Sequence, residues 1–158
     1  MTSVIGSIYT AIESMSILVD GSAPKVYGLT GLPNTVASAM LPCRILLDLA
    51  NAGEGQSMDF FSINTGIGGG GNQYVDWQLS DLMLMLPQAQ GIGVKQVATV
   101  LVDYTGAYID AARDNRAIVP TANITGLRIS PGIYQYPAEG GVSYWGCMAT
   151  LTIREIIS

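Results

Sequence analysis

The chain has 158 residues, of which 49% are hydrophobic and only 12% are charged, and its formal net charge is −5. The Lys and Arg residues are scattered and leave no basic surface for tight binding of nucleic acid. The absence of histidine removes the commonest general base, metal ligand and pH switch. The charged share is about half of the roughly 25% usual in soluble domains, which indicates either a neutral polar surface or apolar surface that a partner covers.

The apolar runs are too short to cross a membrane. The longest, such as 82–86, fall far below the roughly 18 residues that a transmembrane helix needs. The N-terminus has neither a basic segment nor an uninterrupted apolar one. We therefore expect no transmembrane helix and no secretory signal, with synthesis in the cytoplasm.

In chain order, the first predicted element is an amphipathic helix over residues 2–15. Its apolar residues recur at steps of three and four, at Ile5, Ile8, Ile12 and Met15. Asp20-Gly21 and Pro24 end the helix, and residues 25–29 have the composition of a short extended segment. A loop follows, and the short β-compatible run at 43–49 predicts a strand.

The middle of the chain predicts a long hairpin. Residues 58–64, with their Phe60-Phe61 pair, favour a strand, and residues 73–86 favour a long strand that stops at Pro87. Between the two lies a glycine-rich loop at 66–71, which predicts the tip of the hairpin.

The second half predicts a helix followed by another hairpin. Residues 94–112 carry a continuous apolar stripe, and residues 123–130 and 142–156 predict two strands. Pro131-Gly132 and 139–141 separate those strands. In the last strand, one face is the more apolar, formed by Trp145, Cys147, Ala149, Leu151 and Ile153.

This order of elements lacks the alternation of a parallel sheet. It predicts a single α+β domain over residues 1–158, an antiparallel β-sheet with long hairpins and two α-helices packed on one face. Cys43 and Cys147 are expected to be buried free thiols, since a disulfide requires that their strands be neighbours.

No catalytic constellation emerges. Asp76 and Asp81 cannot point to the same side of a regular strand, and Asp103 and Asp110 predict the solvated face of the second helix. Serine and threonine nucleophiles lack a histidine partner. The glycine loop is followed by a strand and by no Lys-Ser/Thr pair, unlike phosphate-binding loops. We expect a protein that is not an enzyme and has no cofactor and no metal.

The glycine loop and the aromatic residues are instead candidates for an interface. Glycine allows close backbone approach, so we expect the tip to be mobile and to become ordered against a partner. Tyr and Trp are enriched at protein interfaces, although ordinary sheet packing also explains them. The candidate interface residues are Phe60, Phe61, Ile67, Gly68, Gly69, Gly70, Gly71, Tyr134, Tyr136 and Trp145.

The C-terminal half resembles the tail-terminator and neck proteins of long-tailed bacteriophages, over roughly residues 74 to 156. The residues that carry the resemblance are Leu86-Pro87, Gln90-Gly91, the helix 97–112 with Asp103-Tyr104 and Tyr108–Ala111, Leu127–Ile129, Pro131–Tyr134 and Tyr144–Gly146. The likeness extends more loosely to the first helix and to Leu41-Pro42. The glycine loop does not map to the family.

This resemblance implies a structural virion protein in the tail or neck, one that forms a homo-oligomeric ring, commonly a hexamer. The ring would end assembly of the tail tube and join the tube to the head-side connector or stopper proteins, and DNA would pass through it without specific binding. The alternatives are a head-completion or stopper protein, a tail-tube subunit, or a small-molecule or carbohydrate-binding module that uses the tyrosines and Trp145. No membrane is involved in any of these.

Overall fold

The computed structural model describes residues 4–28, 30–46, 65–67, 73–88, 93–136 and 140–157. The helices are α1 (Ile5–Glu13) and α2 (Val94–Asp114), and a short 3-10 turn spans Ser38–Met40. The strands are β1 (Lys25–Tyr27), β2 (Cys43–Leu46), β3 (Thr65–Ile67), β4 (Gln73–Pro87), β5 (Ala117–Val119), β6 (Ala122–Tyr136) and β7 (Val142–Ile157).

The strands form one sheet in the order β1-β2-β4-β7-β6-β5, and β3 pairs with β4 beside β2. Every pairing is antiparallel except that of β1 with β2. The long strands β4, β7 and β6 lie side by side at the centre, and β6 and β7 form a hairpin. The α+β class and the mainly antiparallel sheet predicted from the sequence are confirmed.

Both helices pack on one face of the sheet, which we call the helix face. Alternate residues of β4 and β7 point there, and their side chains form the main core with α1 and α2. The apolar face predicted for the last strand is this one, since Trp145, Cys147, Ala149, Leu151 and Ile153 are all buried in that core. The period of two therefore gave the orientation of β7 correctly.

The opposite face of the sheet is only partly apolar. A smaller core forms at one end of it, where the segment 32–41 packs against Leu82, Leu84 and the two tyrosines Tyr136 and Tyr144. The hydroxyl of Tyr136 donates to the carbonyl of Pro33 at 2.6 Å, and that of Tyr144 donates to the carbonyl of Val36 at 2.8 Å. These bonds fix the segment to the sheet.

Next to that core, the middle of the face is polar. Ser80 of β4, Thr150 of β7 and Arg128 of β6 form one row across the three long strands, and Gln78 and Thr152 pair in the next row. Gln78 and Arg128 are exposed, and the three hydroxyl side chains are partly exposed. We call these five residues the polar strip.

Some predicted boundaries were wrong. Residues 65–67 belong to strand β3, so the predicted loop 66–71 begins too early. Strand β6 continues through Pro131-Gly132, where the sequence predicted a break. Proline is compatible with an edge strand, where its missing N–H is not needed by a neighbour, and no described strand pairs with β6 beyond Asn123 on its outer side. The strand predicted over 58–64 lies outside the described residues.

Candidate interaction surface

The candidate interface residues fall into three groups. Phe60, Phe61 and Gly68 to Gly71 lie outside the described residues. Ile67 is the last residue of β3, and its backbone pairs with Gln73 at the start of β4. Two antiparallel strands thus flank the glycine loop, but the first of them that the structure describes is β3, most of which the sequence predicted as loop.

The aromatic candidates lie mainly inside the protein. Tyr136 is 2% exposed beneath segment 32–41, and Trp145 is 8% exposed in the main core. Tyr134 is partly buried, and its hydroxyl donates to the carbonyl of Ser130 in the same strand. The structure therefore places the interface candidates Tyr136 and Trp145 in the two cores, where a buried ring offers little surface to a partner.

The exposed apolar surface lies elsewhere. Large apolar side chains that are more than two-fifths exposed occur on α2, on the segment after α1 and on the sheet, namely Leu18, Leu86, Val94, Val102, Ile109, Ile133, Val142 and Ile156. Three of these eight described residues are on α2: Val102 and Ile109 lie away from its buried stripe, and Val94 is its exposed first residue. The helical period of its apolar residues predicts the buried stripe of α2. The exposed apolar residues follow no period, so the sequence does not indicate them.

A buried ionic cluster joins both helices to the sheet. We call Arg44 of β2, Asp81 of β4, and Tyr104 and Tyr108 of α2 the Arg44 cluster. Both charged side chains are almost completely buried, at 1% for Arg44 and 0% for Asp81. The Arg44 guanidinium contacts the Asp81 carboxylate at 2.5 Å and 3.1 Å, and the Tyr108 hydroxyl donates to the same carboxylate at 2.8 Å.

The remaining guanidinium donors of Arg44 bind backbone carbonyls at the C-terminal end of α1. They bond to the carbonyl oxygens of Met15 at 2.9 Å and Ile12 at 3.3 Å. Carbonyls at a helix C-terminus lack partners within the helix and carry partial negative charge. Arg44 therefore fixes the end of α1 to β2 and β4, while Tyr108 fixes α2 to the same point.

The electrostatics of the cluster are those of a closed structural site. Burial, and next the negative charge of Asp81, raise the pKa of Tyr104 and of Tyr108 well above the ordinary value, so both phenols stay neutral. The attraction of Asp81 keeps the pKa of Arg44 above its ordinary value, although burial alone would lower it. With its charges paired and its phenols neutral, the cluster supplies no activated acid, base or nucleophile.

A second buried acid holds the start of α1. Glu155 of β7 is 3% exposed, and its carboxylate accepts hydrogen bonds from the Trp77 indole N–H at 2.8 Å and from the backbone N–H of Val4 at 2.9 Å. Val4 is the N-cap residue of α1, where a negative charge is favourable. Both ends of α1 are thus tied to buried charges of the sheet.

The carboxylates singled out in the sequence lie apart from each other. Asp76 points away from the helix face and forms a two-bond ion pair with Arg154, at 2.7 Å and 2.8 Å, whereas Asp81 is buried on the helix face. Asp103 and Asp110 are exposed on α2. These placements agree with the geometry expected from strand and helix periodicity.

The two cysteines are buried free thiols, as predicted. Strand β4 lies between their strands, with Cys43 paired to Leu84 and Cys147 paired to Met83. They also belong to different cores on the two faces of the sheet. Burial raises the pKa of each thiol to about 11, which keeps both protonated at neutral pH.

Nowhere in the described residues do three or more Cys, Asp or Glu side chains come together in a way that could hold a metal ion. Neither described helix is long and apolar enough to span a membrane.

Comparison with known proteins adds no identification. No protein-family model matches the chain, and a search of curated proteins finds no significant match.

Proposed function

We propose that this chain is a structural virion protein that forms a closed ring, hexameric by the resemblance, at the head-proximal end of a bacteriophage tail. There it ends assembly of the tail tube and joins the tail to the head-side connector. In this proposal the protein is not an enzyme, needs no cofactor, and lets DNA pass through the ring without specific binding.

The observation that carries the proposal is the polar strip on the face opposite the helices. Three long strands present a row of Ser80, Thr150 and Arg128, with Gln78 and Thr152 beside it. A hydroxyl-rich surface suits the wall of a ring that DNA traverses, because hydroxyl groups hydrate the wall and contact phosphates without neutralising their charge.

The charge of the chain supports the same assignment. Affinity for DNA rises with the number of phosphates that Lys and Arg neutralise. On this face Arg154 is already paired with Asp76, so Arg128 is the strip's own cation, and the whole chain is acidic at −5. Such a wall would hold DNA weakly and let it slide.

The surface composition supports assembly. Eight large apolar side chains on the described part of the chain are exposed, in a protein with an unusually low charged fraction. Contact between subunits would cover such side chains. The carbohydrate-binding alternative loses its main support, because Tyr136, Tyr144 and Trp145 are buried.

Deletion of the gene from the phage that encodes this chain tests the proposal. We expect full heads and separate tails that fail to join, with tails of abnormal length, because nothing stops the tube. Complementation with the wild-type gene should restore infectious particles. Normal joined virions from the deletion strain would contradict the proposal.

A further inference from the structure

Two grooves lie on opposite flanks of the C-terminal half of α2. One, between α2 and the segment that follows α1, has a volume of about 470 Å³ and is lined by residues that include Ser16, Leu18, Ala107, Asp110, Ala111 and Asp114. We call it the acidic groove. The other, between α2 and β6, has a volume of about 240 Å³ and is lined by residues that include Ile109, Ala112, Arg113, Arg116, Ile124 and Leu127. We call it the basic groove.

The two grooves carry opposite charge. The ionisable residues of the acidic groove are Asp110 and Asp114, and those of the basic groove are Arg113 and Arg116. Arg113 bridges to both aspartates, at 3.1 Å and 3.4 Å, so it cancels one of their two charges. The acidic groove keeps an excess of one negative charge, and Arg116 gives the basic groove one positive charge that no described carboxylate pairs.

The two grooves also have complementary apolar features. Leu18 stands at the acidic groove with half of its side chain exposed, at 50%. The basic groove offers apolar walls in Ile109, Ile124 and Leu127. A projecting leucine on one flank and an apolar groove on the other can bury each other only when they belong to different copies of the chain.

From this complementarity we propose that the acidic flank of α2 in one copy docks on the basic flank of α2 in the next, with Leu18 inserted into the basic groove. The occupant of each groove is thus a second copy of this chain. Because the two grooves lie on opposite flanks of α2, a two-fold contact would set one flank against the same flank of the other copy, acidic on acidic or basic on basic, which like-charge repulsion opposes. Head-to-tail contact pairs unlike charges, and it generates a ring when the rotation closes. This inference rests on the proposed function, because it names the contact that would build the ring.

Two charge reversals test the contact. Arg116→Glu makes both flanks acidic, and Asp114→Lys makes the acidic flank more basic, so each variant alone sets like charges against each other. We expect each to weaken association by about tenfold or more. In an equal mixture, the two variants can alternate around the ring. The flank changed by Arg116→Glu then meets the flank changed by Asp114→Lys, and the two unchanged flanks meet each other. Unlike charges face each other at both contacts, so the mixture should assemble again.

Lys95→Glu is the matched control, because it reverses one exposed charge on the same helix outside both grooves. It should assemble like the wild type. Circular dichroism melting of each variant separates loss of assembly from loss of folding, and assembly is followed by sedimentation velocity across a range of concentrations.

Loss of assembly in both single variants with recovery in the mixture supports the inference. It is overturned if either folded single variant assembles normally, if the mixture fails to recover, or if Lys95→Glu is as damaging. It is also overturned if the wild type stays monomeric up to about 1 mM, since the contact would then contribute less than about 4 kcal/mol. The deletion phenotype is independent of these outcomes, so failure here leaves the proposed function to its own test.

Discussion

Substitution of Arg44 by methionine tests how the buried charges hold the helices to the sheet. The change keeps a long side chain but removes the guanidinium that contacts Asp81 and the carbonyls of Ile12 and Met15. Asp81 would stay 0% exposed with the Tyr108 hydroxyl as a remaining donor. Removal of one partner of a buried ion pair costs about 3–5 kcal/mol, since the other charge is left uncompensated.

That cost is large beside the total stability of a domain, about 5–15 kcal/mol. For a chain of this size, 1 kcal/mol corresponds to roughly 2–4 °C of melting temperature, so Arg44→Met should lower the melting temperature by roughly 6–20 °C. Urea denaturation gives the free energy of unfolding, and an unchanged slope against urea concentration would show that the unfolding transition is otherwise the same.

Two controls separate charge from volume. Adding Asp81→Leu to Arg44→Met removes the stranded charge and should recover much of the loss, because an apolar pair can replace a buried ion pair at little cost. Arg154→Met breaks the pair with Asp76, in which Arg154 is 44% and Asp76 13% exposed, and should cost less than Arg44→Met, because solvent screens a partly exposed pair more than a buried one. If Arg44→Met were no more damaging than Arg154→Met, or if the double variant were the least stable of all, our account of the cluster would be wrong.

Three further predictions concern other parts of the sheet. Gly146→Ala should lower the free energy of unfolding by about 1–3 kcal/mol, measured in urea, because an added methyl group would overlap the carbonyl oxygen of Met83. Burial raises the pKa of Cys43 and Cys147 from 9.0 to about 11, so the stability they contribute is complete below pH 9 and falls as the pH rises towards 11. Unfolding measured from pH 8 to 11 checks this, and both thiols should resist alkylation at pH 8. Thr150→Lys should make DNA binding by the assembled protein tighter. The plot of log binding constant against log salt concentration should become steeper by about 0.9 per added phosphate contact, measured by filter binding.

The regular parts of the fold could be predicted because burial imposes a period. Helix α2 follows from its stripe of apolar residues, and β7 follows from the alternation between 145 and 153, since each pattern has one buried face. The order of elements then excluded a parallel α/β fold. The sequence predicts that the strand ends at Pro131, because proline usually ends a strand, and nothing in the sequence indicates that this part of β6 lies at the edge of the sheet.

The Arg44 cluster depends on contacts between residues far apart in the sequence. Arg44 lies between Cys43 and Ile45 in an apolar run, and Asp81 interrupts the apolar alternation of β4. One cation, Arg44, and one anion, Asp81, in two predicted core strands indicate a buried ion pair. The sequence does not indicate the bonds from Arg44 to the carbonyls of Ile12 and Met15. The packing of α1 against the sheet decides which backbone carbonyls a buried side chain reaches.

The surface that we propose for contact between copies is the least predictable part. Composition favours aromatic residues as interface candidates, but the structure buries Tyr136 and Trp145. The exposed residues Val102, Ile109 and Leu18 carry no sequence signal, because an isolated apolar residue on a surface resembles one in a core. Burial separates the two cases only after the fold is known.

Imaging of the intact virion tests the central claim most directly. Cryo-electron microscopy of particles in which this protein carries a small C-terminal tag should place one ring of copies between the tail tube and the head-side connector, with the polar strip facing the central channel. Density for the protein along the whole tail would make it a tube subunit, and its absence from the particle would contradict the account.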